Sequence, residues 1–342
     1  MSVPNRVANA TQNYLMPKLV EGVLTGNVGL SYFLVRSKAG VWRGAQVEVP
    51  FKHAVNTNGG SFSGFDTLTS AAVDNTIKLT YDAKFNYQDV SLAKTDLALN
   101  DTEEKVADLM ERQVASDTLD LADRIGTQFY GNGTGNSGKD ILGLGAIVDD
   151  GTAVATIGGQ SRATYSGLQA RVTASGGALT LAQLYALSDA ATEGSQRPDI
   201  ILTTKTVFSL YNQLLTPNER YTVPMNGRDK MYMRTGAEQL AFRDAPIFSD
   251  SKCTAGTLFM LNSNSMEFQI LPNWPESEPV NFAVEEMEGV PSPGVPKGLG
   301  FHWTGWSKPV NQEVVTGRVI HTGNFVVKSP RYNAKLTGIT SI

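Results

Sequence analysis

One stretch constrains this chain more than any other: DTEEKVADLMERQVASDTLDLADRIGTQFYG, residues 101–131. Val106, Met110, Val114, Leu121, Ile125 and Phe129 recur four or seven residues apart, and a 3.6-residue period gathers them into one apolar stripe. Asp101 followed three residues on by Glu104 reads as a capping box, and Gly131 as a left-handed stop. A helix of that length is a rod of roughly 45 Å, as long as a small domain. Eight carboxylates against three cations leave it −5, in a chain whose total is −4. The rod is expected to lay its stripe across a sheet and turn an acidic side to water.

The 342 residues suffice for two cores or for one with large excursions. A net negative charge argues against a protein that coats nucleic acid with Lys and Arg. Only 18% of residues are charged, which suits a surface partly hidden by partners. The opening MSVPNRVANATQNY lacks the basic-then-apolar build of a signal peptide. No apolar run reaches the length of a membrane span, so a soluble cytoplasmic product is expected.

Residues 1–40 are mixed, with a short helix expected over Asn13–Leu24. Two β runs follow. Val47, Val49 and Phe51 alternate with polar residues in the first, as do Ile77, Leu79 and Tyr81 in the second. Phe85 and Tyr87 are read as continuing the second register. Strands of about eleven residues would make a ribbon of roughly 35 Å, unsupported and with open edges. Its tip, NTNGGSFSGFDTLTSAAVD, is rich in turn residues.

Beyond the rod, 150–178 reads as surface loop. Thr180 caps a helix with Leu184, Leu187 and Ala191 inward; DIILTT is a buried strand, and Thr204 opens a helix. TPNERYTVPMNGRDKMYMRTG reads as a polar hairpin. Glu238–Phe242, Ala245–Phe248, Thr257–Asn262 and Met266–Leu271 read as an antiparallel set. Pro272–Pro309 is irregular apart from FAVEEM, and the last β runs hinge at Thr322–Asn324.

Chemical motifs are sparse. Gly133-x₄-Gly138-Lys139 imitates a phosphate loop, yet Asp140 stands where Ser or Thr must hold magnesium, and the string follows a helix. His53, His302 and His321 lie in separate segments without ligand spacing. Cys253 is the single cysteine and has no neighbouring His in sequence. No catalytic, cofactor-binding or metal-binding residue is assigned, and an enzyme is not expected.

The order of elements is the informative feature. Arm, ribbon, acidic rod, Gly131-Asn-Gly-Thr-Gly turn, Leu142-Gly-Leu144-Gly segment, then ALTLAQLYALSDAA, PDIILTTKTVFSLYNQLL, FRDAPIFSDSKCTAGTLFMLN and GNFVVKSPRYNAKLTGI run in sequence. Over nearly its whole length the chain resembles the major capsid proteins of tailed bacteriophages, the Hong Kong 97-type family. The resemblance implies an α+β fold: an N-arm at 1–40, an E-loop with flanking strands at 41–95, and a peripheral domain at 96–177 holding spine helix 101–131. An axial domain follows at 178–308. Return strands of the peripheral domain and the last axial segment occupy 309–342.

It also implies a structural protein that self-assembles, through pentamers and hexamers, into an icosahedral shell around double-stranded DNA without reading its sequence. Expected partners are further copies, a portal, a decoration protein in some shells and no membrane. Some members carry an N-terminal scaffolding segment; here the ribbon begins near residue 45, so a separate scaffolding protein is expected. The place is the virion, assembled in the bacterial host cytoplasm. The E-loop residues Lys52, Phe62, Phe65 and Asp66 are expected at subunit interfaces, and Glu104, Asp108, Glu111 and Asp117 on a lumen-facing acidic spine. Some members crosslink a ribbon lysine to an asparagine; Lys52 and Lys78 are read as solvated lysines instead. Two other readings stay open: an encapsulin-like compartment shell of the same fold, and a soluble nucleotide-binding enzyme using the turn at 131–138.

Overall fold

The structure, a computed structural model, describes residues 27–35, 40–68, 70–99, 103–215, 240–271, 274–275, 278–279, 300–309 and 311–342. Helix α1 (Val28–Val35) is followed by β1 (Gly40–Val41), β2 (Gln46–Lys52), β3 (Thr76–Asp82) and β4 (Phe85–Ala93). Short α2 (Lys94–Leu99) leads to α3 (Glu103–Tyr130), the expected rod, and then to one turn, α4 (Leu144–Ile147). The hairpin β5 (Thr156–Ile157) and β6 (Gln160–Ser161) precedes β7 (Arg171–Ala178). Then come α5 (Leu181–Ala191), β8 (Ile200–Thr203), α6 (Lys205–Leu215), β9 (Leu240–Phe242), β10 (Ala245–Ser249), β11 (Leu258–Leu261) and β12 (Met266–Ile270). Last are β13 (Glu278–Pro279), β14 (Phe301–Trp303), β15 (Val314–Val327) and β16 (Ala334–Ser341).

Two six-stranded sheets organise these elements. The first runs β1-β12-β15-β14-β13, with β4 also on β15; the second runs β7-β16-β11-β8-β10-β9. The second is buried on both faces, which is why β8 reads as an unbroken apolar run. Ile201, Leu258 and Met260 meet Leu184 and Leu187 of α5 and Val207 and Tyr211 of α6. Ile200, Leu202, Phe259 and Leu261 face the other core, with Leu30 and Phe33 of α1 and Phe129 of α3. Thr180 and Gln183 form a reciprocal capping box at the start of α5, as a Thr with Gln three residues on should.

Along α3, Met110, Val114, Leu121, Ile125 and Phe129 are all buried, so the stripe packs as its period demands. The helix lies along β4, where the Gln128 amide donates to Asn86 Oδ1 at 3.0 Å and Arg124 donates to the Tyr87 carbonyl at 3.2 Å. Asp101 of the expected capping box lies outside the described residues. Gly131 does stop the helix, but Gly133 takes the left-handed conformation, with φ +72°. Gly143 and Gly145 are needed for close approach: a Cβ on either would come within 2.8 Å of the Gly131 carbonyl oxygen, which accepts from the Gly145 amide at 2.9 Å and draws α4 against the helix end.

Several expectations are corrected. β2 and β3 pair over seven residues each, from Gln46↔Asp82 to Lys52↔Thr76, not about eleven. Phe85 and Tyr87 do not continue β3. They lie on a separate strand paired with β15 and are exposed, because the break at Ala83–Lys84 changes the parity of facing residues. Within 150–178, Arg171–Ala178 is a strand parallel to β16; Gly176 and Gly177, both at positive φ, hid it as a loop. The supposed antiparallel set divides between sheets: β10 pairs parallel with β8, and β12 pairs with β15. Thr322–Asn324 is no hinge. β15 runs straight through it, exchanging β4 for β12 between Thr322 and Gly323. Val28–Val35, read as part of an arm, is a helix buried all round. The helix expected at Asn13–Leu24, the polar hairpin after Thr216 and FAVEEM lie outside the described residues.

Candidate functional site

The ribbon β2–β3 carries the features that most need a partner. Its root is held by its own chain. Leu79 is fully buried, and the Tyr81 hydroxyl donates to the Val327 carbonyl at 2.9 Å. Thr80 donates its amide to Gly158 at 3.0 Å, and Gln160 donates to the Lys78 carbonyl at 3.1 Å, so the β5–β6 turn covers the outer edge of β3. A Cβ on Gly158, which sits at φ +56°, would come within 2.8 Å of Leu79 Cβ. The close approach needs glycine.

That geometry also sets the other edge. Thr80 points its amide away from β2, so its opposite number Glu48, and Pro50 two residues on, likewise point outward. Pro50 has no N–H to offer, which interrupts the free edge of β2 as a template for strand addition. The expectation of an unsupported ribbon with two open edges is therefore corrected. Lys78 is ion-paired with Glu48 at 2.7 Å across the strands, whereas Lys52 is exposed at the end of β2.

Beyond Lys52 the chain leaves the ladder and exposes apolar side chains. Phe62 is 67% and Phe65 fully exposed, with Val55 and Leu68 also outside. Asp66 shapes the tip: its carboxylate accepts the Ser63 amide at 2.7 Å, and its own amide donates to the Ser63 carbonyl at 2.8 Å. Side chains of this size exposed together on a projecting loop mark a surface for another molecule.

The acidic side of α3 is less uniform than its sequence. Glu104, Asp108 and Glu111 are in the helix, but their side chains lie outside the described residues. Asp117 is a correction to the exposed acidic face: it is buried, and Gln113 donates to its carboxylate at 3.0 Å. Burial pushes this carboxyl up, and Asp120 and Asp89 push the same way against the Gln113 hydrogen bond. Asp117 lies three residues after buried Val114 and four before buried Leu121, which places it on the face of the apolar stripe.

Behind the ribbon root stands a buried ionic cluster that the sequence did not announce. Arg162 is fully buried and donates to the carbonyls of Ala146, Ile147 and Asp149, closing the open end of α4. Asp149 accepts the Gly151, Ala153 and Val154 amides and Lys335 Nζ at 3.2 Å. Burial alone would raise its pKa, but these amides and Lys335 outweigh it and hold the carboxyl low. The cluster fixes residues 144–165, on which the ribbon rests.

The remaining candidates are spent locally. In the 131–138 turn, Asp140 fills the space beside Gly135 and accepts from Gln128 at 3.0 Å, leaving no cradle for a phosphate. His321 and His302 do come together, on the paired strands β15 and β14. His321 is enclosed between Phe268 and Phe301, and burial, with His302 beside it, lowers its pKa to about 3. Burial also pushes the Cys253 thiol up. A cavity of about 360 Å³ near the β9–β10 turn has an apolar floor at Ile201 and Met260. Its two guanidiniums, Arg197 and Arg243, are paired with Asp244 and Asp189. Among the described residues no group of three or more His, Cys, Asp or Glu could hold a metal ion, and no helix is long and apolar enough to cross a membrane.

No family model matches the sequence, and no curated protein does. Solved structures are similar. A chain of the cyanophage A-1(L) capsid asymmetric unit matches with a TM-score of 0.68 and 16% identity, over 92% of this chain and 93% of that one. The capsid of a native GTA particle gives 0.55 and 9%, over 88% of each chain. The SrpI encapsulin of Synechococcus elongatus PCC 7942 gives 0.53 and 14%, over 87% of this chain and 84% of that one. The chain has the α+β, Hong Kong 97-type fold shared by these capsid and encapsulin proteins.

Proposed function

We propose that this chain is the major capsid protein of a tailed bacteriophage and assembles, as pentamers and hexamers, into an icosahedral shell around double-stranded DNA. The observation that carries the reading is the ribbon: a root anchored in the core and a tip exposing Phe62, Phe65, Val55 and Leu68 to solvent. Such a tip is a liability in a dispersed chain and an asset when each copy buries it on a neighbour. Many modest contacts of this kind add through multivalency. The fold likeness over nearly the full length of a cyanophage capsid chain supports the same reading.

Within it, Lys52, Phe62, Phe65 and Asp66 make contacts between subunits. The carboxylates Glu104, Asp108 and Glu111 face the lumen and keep packaged duplex from adhering. The partners in this reading are a separate scaffolding protein, a portal and, where the shell carries one, a decoration protein, and assembly takes place in the host cytoplasm. An encapsulin-like compartment is the second reading, favoured by the likeness to the SrpI shell protein.

Electron microscopy of the purified chain, alone and with candidate scaffolding proteins, tests the proposal. Closed icosahedral shells or rings of five and six subunits are expected. A chain that stays monomeric under every condition overturns it, and a protein cargo co-purifying inside nucleic-acid-free shells selects the compartment.

A further inference from the structure

The pair Asn58–Gly59 lies on the ascending leg of the ribbon loop. An asparagine followed by glycine can lose its side-chain amide without any enzyme. The backbone nitrogen of the glycine bonds to the asparagine Cγ and gives up its proton, and the Cγ–Nδ2 bond breaks as ammonia leaves. Water then opens the resulting five-membered imide at either carbonyl, giving aspartate or isoaspartate. Nothing is oxidised or reduced. The step needs an unhindered nitrogen and a backbone free to reach the ring geometry, which a residue without Cβ provides.

Three Asn–Gly pairs occur in the chain, at 58–59, 132–133 and 226–227, and the last lies outside the described residues. The other two differ sharply. Asn132 is folded into its turn, its Oδ1 accepting from the Thr134 amide at 3.1 Å and hydroxyl at 2.7 Å. Gly133 is fixed at φ +72°, with the Ile141 carbonyl 3.3 Å from where a Cβ would stand. Gly59 and Gly60 are exposed, and a Cβ on either would meet nothing within 4 Å.

We propose that Asn58 is a site of spontaneous deamidation, which converts the ribbon loop from its newly made form to a more anionic one. The change has a structural consequence. Asn58 Nδ2 donates to the Ala71 carbonyl at 3.2 Å, tying the two legs of the loop. A carboxylate cannot donate, and it repels that carbonyl instead. The loop already carries Asp66 and Asp74, so the added charge also meets like charge. Isoaspartate further lengthens the backbone by one methylene at the same point. The inference does not depend on whether the chain assembles.

The test is peptide mass spectrometry of the dispersed full-length chain, aged in mildly alkaline buffer and compared with the same chain in urea. Asn58 is expected to convert in the folded chain, chiefly to isoaspartate, while Asn132 converts only in urea. Gly59→Ala, which has open space and no positive φ to satisfy, is expected to slow conversion at Asn58 many-fold. Limited proteolysis of the aged chain should cut the loop faster than in the fresh chain. An Asn58 that stays amidated in the folded chain while converting in urea overturns the proposal, as does an Asn132 that converts first. Unchanged proteolysis of a converted chain overturns the loss of the tie.

Discussion

The hydroxyl of Tyr81, the last inward-facing residue of β3, donates to the carbonyl of Val327, the last residue of β15, at 2.9 Å. Two residues far apart in sequence thus join the ribbon to the longest strand of the first sheet. Tyr81→Phe keeps the ring and removes the bond, so about 1 kcal/mol of stability should be lost, and up to ~2 if the carbonyl is left without a partner. A denaturant titration reads that loss. Faster proteolysis of the ribbon loop should accompany it, because the root has then lost its bond to β15 and keeps only those to the β5–β6 turn and Asn324.

Arg162 makes a stronger prediction. Its planar guanidinium serves three carbonyls at once, and no other side chain has that fork. Arg162→Met orphans the Ala146 and Ile147 carbonyls at about 1 kcal/mol each, since the Asp149 carbonyl keeps the Ala170 amide at 2.9 Å, and no longer burying a charge offsets part of this, for a net loss of roughly 1–2 kcal/mol. Arg162→Lys should recover only a fraction. Thermal unfolding of the three chains checks the ranking.

His321 gives the fold a defined acid weakness. Its folded pKa of about 3 lies below the unfolded value near 6.5, so the unfolded chain takes up the proton first. The stability contributed by the neutral ring is complete above pH 6.5 and falls away as pH drops toward 3. At pH 5 the loss is about 2 kcal/mol. His302 is shifted the same way by burial and adds to it. His321→Phe, placed between Phe268 and Phe301, should flatten the pH dependence of the denaturant midpoint between pH 6.5 and 5. An unaltered slope would remove His321 as its cause.

The tip separates folding from assembly. Phe62 and Phe65 touch little of their own chain, so Phe62→Ser with Phe65→Ser should change folding stability by no more than ~0.5 kcal/mol. On the proposed reading the same pair abolishes shells, leaving soluble subunits in a sedimentation profile. Shells of normal yield would show that the tip does not bear the contact.

What could be read from the sequence was local periodicity. The stripe of α3, the Thr180 cap and the apolar run of β8 each carry their signal within a dozen residues. Pairing was not legible, because it depends on residues far apart. Thr322-Gly323-Asn324 has turn composition, yet Asn324 donates to the Asp82 carbonyl and accepts from the Leu142 amide, keeping the strand straight. Phe85 and Tyr87 look like a continuing inner face until β15 claims β4 in the opposite parity. Arg162 gave no sign of being buried, since only the folded carbonyls of α4 make a home for it. Gly158 lay unremarked in a stretch read as surface loop, and its purpose becomes visible only beside Leu79.

Among the described strands β15 and β16 come latest in the sequence, and neither lies at an edge. β15 pairs with β4, β12 and β14, and β16 is inserted between β7 and β11. A ribosome that has delivered everything up to residue 313 has therefore made β11-β8-β10-β9 of the second sheet with β7 cut off from it, and has yet to make the strand that joins β4, β12 and β14 in the first. The nascent chain must hold its ribbon and rod waiting, and a stop codon just before residue 314 removes the strand that joins the first sheet, not a trailing end.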